Sequence, residues 1–139
     1  MAATTPAAPD NAAVAAAAAE ARAGIQRAIE SYVAGVRERN VGAMQRVYPG
    51  MPESMRRNWE ALFAAVRSID ARSASIEIQP SAGDAGAAQL SLRVSFPNPA
   101  NRRECVQVTQ LRLQLARSAG GWQISELTQV SSTGSPGCG

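Results

Sequence analysis

The chain carries few side chains able to move a proton or hold a metal. Its 139 residues contain no histidine and only two cysteines. That removes the side chain most used for acid–base work near neutral pH and the commonest zinc ligand. Two cysteines without histidine do not complete a zinc site, so neither a metal nor another cofactor is expected. Glu126 shares strand parity with Trp122 and Ile124, and an uninterrupted strand would point its carboxylate inward, where burial would raise its pKa and make it a candidate base. A bulge between Ile124 and Leu127 would instead turn Glu126 outward and Leu127 inward, and the cost of burying a lone charge favours that exchange. Tyr48 is a second acid–base candidate. Asp70 with Arg72, and the pairs Arg56-Arg57 and Arg102-Arg103, read as surface charges.

Tyr32, Tyr48, Trp59, Phe63, Phe96 and Trp122 are the aromatic residues of the chain. Those on helical stretches fall on the apolar faces. Together with Glu126 they form the candidate lining of a ligand cavity, because such pockets are mostly apolar with few polar groups. Filling a solid core is the commoner fate of buried aromatic residues.

Positioning these residues needs helices first and strands after. Met1 to Glu20 (MAATTPAAPDNAAVAAAAAE) is low in complexity and poor in bulky apolar side chains, and reads as a linker or a frayed helix extension. From there Ile25, Ile29, Tyr32, Val33 and Val36 recur every three or four residues, the stripe of an amphipathic helix over about Glu20 to Arg39. Asn40 caps a short second helix through Ala43, Met44 and Val47, which Pro49-Gly50 ends. Pro52 opens a third, with Met55, Trp59, Leu62, Phe63 and Val66 on one face.

The period then changes to two. Ile76 and Ile78, then Leu90, Leu92, Val94 and Phe96, alternate with polar residues as in half-buried strands, joined by a turn at Gly83, Asp84 and Gly86. A third strand runs from about Glu104 to Ala116. In it Val106 and Val108 hold the even positions and Leu111, Leu113 and Leu115 the odd ones, which predicts a β-bulge at Thr109-Gln110 that bends the sheet. Ser118-Ala119-Gly120-Gly121 turns into a fourth strand led by Trp122. The fold class is α+β, three helices packed on a strongly bent four-stranded antiparallel sheet. The expected units are a linker or tail at 1–20, one domain at 21–131 and a C-terminal tail at 132–139.

The hairpin brings Cys105 opposite a position near Gly134, within reach of Cys138. Either the two cysteines form a bridge that pins the tail SSTGSPGCG and points to an oxidising, extracytoplasmic compartment, or one is a half-buried thiol and the other a free thiol. All fourteen basic residues are arginine and the net charge is only +3. The arginines are scattered and aromatic residues sparse, which argues against a nucleic-acid platform. No apolar run reaches the roughly 20 residues of a membrane helix. The outward positions of the sheet, among them Gln89, Ser91, Arg93, Gln110, Arg112 and Gln114, form a polar face that is either solvated or a wet homodimer surface.

The order of elements, together with AIESYVAGVRERNVGAMQRVYP in the first helices and LRLQLARSAGGWQISEL across the last hairpin, resembles the nuclear-transport-factor-2-like superfamily. This cone-shaped fold is shared with ketosteroid isomerase and polyketide-cyclase-like proteins, and the resemblance spans about Ala21 to Val130. Enzymes of the superfamily usually carry a catalytic aspartate, histidine or tyrosine set and an extra early hairpin, and neither is evident here. The resemblance therefore implies a short noncatalytic member, a sensory or interaction domain for a small apolar ligand or a partner protein, appended to a bacterial membrane protein such as a receptor-like serine/threonine kinase. A small isomerase, dehydratase or hydrolase using Glu126 or Tyr48 is the alternative, and a homodimerisation module is a third.

Overall fold

A computed structural model describes residues 7–80, 83–119 and 121–138. Helices α1 (Ala7–Arg37), α2 (Val41–Val47) and α3 (Glu53–Ala65) precede strands β1 (Asp70–Pro80), β2 (Ala85–Pro97), β3 (Glu104–Ser118) and β4 (Gly121–Gly134), and a 3₁₀ turn at Pro136–Cys138 follows. Part of the expected linker, residues 1–6, lies outside the described residues, as does Gly120 of the last turn. From Ala7 the linker stretch is helix, and its side chains from Asn11 to Glu20 are almost all exposed. No helix among the described residues is long and apolar enough to cross a membrane.

The apolar stripe of α1 sits where its spacing placed it, with Ile25, Ile29, Tyr32, Val33 and Val36 all buried. Helix α1 ends at Arg37, and two residues on Arg39 takes a left-handed φ of 53°. The Asn40 side chain then accepts a hydrogen bond from the Ala43 N–H at 3.0 Å and starts α2, supplying one of the donors that a helix start leaves unpaired. Two arginines tie this corner to the body. Arg37 donates to the Ala71 carbonyl at 3.0 Å and Arg39 to the Val66 carbonyl at 2.8 Å.

The sheet is an antiparallel meander in the order β1-β2-β3-β4. Its central β2–β3 ladder runs from Ala85↔Ala116 to Pro97↔Glu104 without a break in register. The breaks fall on the two edge strands, where Ala74 of β1 and Ser125 and Val130 of β4 are the extra residues. Each bulge adds local bend and twist, so the sheet curves around the helices from its two sides while its middle stays regular.

This corrects the expected bulge at Thr109-Gln110. Strand β3 keeps one parity throughout, with Cys105, Leu111, Leu113 and Leu115 buried on the face toward the helices. Gln107 and Thr109 share that face, and Val106 and Val108 take the other side half-buried. The parity conflict resolves because the inner face at that end borders a cavity rather than solid core, so polar side chains are tolerated there. The register break lies across the ladder, at Val130.

Beyond the strand, Cys105 and Cys138 form a disulfide. The Gly137 carbonyl accepts from the Asn98 side chain at 2.9 Å, and the Ser135 hydroxyl accepts from the Val106 N–H at 3.0 Å. A Cβ at Gly137 would collide with the Glu104 carbonyl oxygen. Residues 132–138, expected to be a tail, are thus strand followed by a pinned turn.

Candidate ligand-binding site

Between α3 and the inner face of the sheet lies a cavity of about 550 Å³. Its apolar part is built by Tyr32 of α1, Met55, Trp59 and Leu62 of α3, Leu92 and Val94 of β2, Leu111 of β3 and Leu127 of β4. A polar border is contributed by Ser54 and Asn58 from α3, Gln107 and Thr109 from β3, and Gln129 and Ser132 from β4.

The two bulges of β4 decide which of its side chains enter. Ile124 faces the core opposite Leu115, and the extra residue Ser125 lets Leu127 rather than Glu126 follow it inward, with Gln129 in phase two residues later. The second extra residue, Val130, brings Ser132 opposite Thr109. Their hydroxyls meet at 3.1 Å. A strand of strict period two would have offered a different set.

Among the lining residues Tyr32 is the one with a titratable side chain. It is 1% exposed. Burial pushes its hydroxyl well above the ordinary tyrosine value, with the Trp59 indole N–H partly opposing the shift. It therefore stays protonated at every physiological pH and is a poor base.

Of the residues expected to line a cavity, Tyr32 and Trp59 meet in this one, and the others sit elsewhere. Phe63 is buried in the core behind Trp59, its ring stacked on the indole at 5.5 Å. Tyr48 is buried at the end of α2, and its hydroxyl is raised by burial and by the charge of Glu126, while the Leu127 N–H lowers it. Phe96 lies half-buried near the end of β2, opposite Cys105.

Trp122 covers Gly24 of α1 so closely that a Cβ there would collide with the indole. It borders a separate depression of about 340 Å³ with Glu20, Arg27 and Arg117. Glu126 is exposed, turned away from the cavity by the bulge at Ser125. Asp70 pairs with Arg72 at 2.7 Å on the surface, and Arg56 binds Glu53 and Glu60 along α3. The polar border at Gln107, Thr109, Gln129 and Ser132 was not anticipated. Carrying the parity of Leu111, Leu113 and Leu115 back along β3 would have found its first half.

Helices filling the concave side of a bent antiparallel sheet, with a cavity at one end, make an architecture shared with solved proteins. A nuclear transport factor 2-like superfamily protein from Salmonella enterica superposes with a TM-score of 0.70 at 11% identity, over 81% of this chain and 92% of that one. The fold is that of the nuclear transport factor 2-like superfamily. A hexachlorocyclohexane dehydrochlorinase, LinA-type3, from Novosphingobium barchaimii matches this chain with a TM-score of 0.65 at 13% identity, over 84% and 90% of the two chains. A ketosteroid isomerase-like protein from Erwinia carotovora atroseptica matches at 0.60 and 18%, over 78% and 95%. No protein-family model and no curated protein matches the sequence. At these identities the likeness establishes the fold of the chain and leaves its chemistry to its own residues.

Proposed function

We propose that this nuclear transport factor 2-like domain binds a small, largely apolar molecule between α3 and the sheet and does not transform it. The observation that carries the reading is the pairing of a cavity of about 550 Å³ with a lining whose titratable side chain is the buried, protonated Tyr32. A volume of that size is within the range that holds small molecules, roughly 300 to 1,000 Å³. Proton abstraction needs a group whose pKa lies near the working pH, and the lining provides none. An appended place in a larger membrane protein, as a receptor-like sensor, is the finer form of this reading. The sequence of the full coding region decides it.

The second reading is a small lyase or isomerase, favoured by the dehydrochlorinase among the fold neighbours. In this chain it would rest on the Tyr32 hydroxyl as hydrogen-bond donor to a departing halide or an enone oxygen, with water taking up the proton lost from carbon. Titration calorimetry with butylbenzene separates the two from an empty scaffold. We expect saturable binding at one site, abolished by filling the space with Leu111→Trp, and unchanged in Tyr32→Phe. Turnover of a small alkyl halide or enone that disappears in Tyr32→Phe would favour the enzyme. Heat signals indifferent to Leu111→Trp would remove the cavity from the account.

A further inference from the structure

We infer that the ligand is electrically neutral and carries an amide-like or hydroxyl head, received by the glutamines Gln107 and Gln129 at the cavity border. The inference rests on the binding reading above and adds what the site would select. The fifteen side chains around the cavity include no carboxylate, arginine or lysine. The charges of α3 engage one another on the outside of that helix, Arg56 with Glu53 and Glu60. The polar border is open to water, with Gln129 and Ser132 exposed and Gln107 half-buried. A carboxylate or ammonium carried past it onto the apolar lining would lose that water and meet no opposite charge, which is unfavourable.

The polar groups that do face the cavity are of another kind. Gln107 and Gln129 sit on neighbouring strands, β3 and β4, on the same inner face, and flank the Thr109–Ser132 hydroxyl pair. Among the described residues neither glutamine amide hydrogen-bonds another protein group, whereas Gln110 and Gln123 do, to Ser91 and to the Arg46 carbonyl. Each free amide offers both a donor and an acceptor in one plane, the complement of another amide or of a hydroxyl. Leu92, Val94 and Leu111 beneath them accept the apolar body. The glutamines are therefore specificity-determining residues, and the neutrality of the lining excludes charged analogues of the same shape.

The experiment compares phenylbutanamide, phenylbutanoate, phenylbutylammonium and butylbenzene by titration calorimetry at neutral pH, on the whole chain and on the Gln107→Leu/Gln129→Leu variant. We expect the amide to bind at least about tenfold more tightly than either ion and more tightly than butylbenzene, as expected of a site that pairs polar groups specifically. In the double variant that advantage over butylbenzene should vanish while butylbenzene itself still binds. An ion binding as tightly as the amide, or an amide advantage that survives in the variant, would overturn the inference and leave the binding reading standing. Failure of all four probes, butylbenzene included, would overturn the binding reading and this inference with it.

Discussion

Gly24 sets how closely Trp122 can approach α1, since a methyl group at that position would occupy space held by the indole. Gly24→Ala should cost about 1 to 3 kcal/mol, the usual range for overpacking, read as a lower urea midpoint. The same substitution in a Trp122→Leu background should cost much less. Equal losses in the two backgrounds would show that the indole is not what the methyl group meets. Tyr32 makes a prediction about pH. Its hydroxyl ionises in the unfolded chain near the ordinary 10.0 and in the folded chain only well above that. A pKa raised by folding means that the stability it contributes is complete below pH 10 and declines as the pH climbs beyond it. Tyr32→Phe should flatten the fall of the urea midpoint above pH 10. An unchanged slope would assign that fall to other groups, Tyr48 first among them.

The short helix α2 depends on one local contact, the bond from the Ala43 N–H to the Asn40 side chain. Asn40→Ala should destabilise by about 1 kcal/mol, and Asn40→Asp or Asn40→Ser should largely restore the midpoint, since each can still accept that bond. Strand β4 carries a heavier dependence. Deleting Ser125 removes the extra residue and its bulge but leaves Glu126 alone between Ile124 and Leu127, so by strict alternation both apolar residues still face the core and Glu126 stays outside. The deletion should keep cooperative unfolding at a lower urea midpoint, because the edge strand loses its bend, while Ser125→Ala, which keeps the bulge and loses only the hydroxyl bond to the Gln114 carbonyl, should stay close to wild type. A deletion variant as stable as wild type would show that the bend carries no stability. The helices were legible in the sequence because their apolar stripes, the Asn40 cap and Pro49-Gly50 are local signals. The strands were legible as elements, and the Ser125 bulge was recoverable because a lone carboxylate and a leucine competed for one buried position. The cavity border was not. Val106 and Val108 look like core residues when read alone and masked the parity that places Gln107 and Thr109 with Leu111, while the places of Gln129 and Ser132 depend on the β4 bulges, which only the long-range pairing reveals.

At the scale of the whole molecule, the bridge between Cys105 and Cys138 closes a loop with a sequence separation of 33 residues. In the chain-entropy view a loop of that length stabilises the fold by about 3 to 4 kcal/mol. Reduction should lower the urea midpoint by a corresponding amount, and Cys138→Ser should match the reduced protein and be insensitive to reductant. A reductant effect as large in Cys138→Ser as in wild type would rule out the bridge as its cause. The sequence placed the two cysteines within reach, and the loop around Asn98 that receives Gly137 supplied what spacing alone lacked. The same clamp encloses nearly the whole β3–β4 hairpin, and this bears on how the domain responds to mechanical load. A pull applied beyond Cys138 passes through sulfur to Cys105 and bypasses β4, so the edge strand cannot be peeled from its partner. The load enters the fold at Cys105, where the start of β3 pairs with the end of β2. In a force–extension measurement the oxidised chain should lengthen on unfolding by about 120 Å less than the reduced one, the 33 bridged residues at about 3.6 Å each.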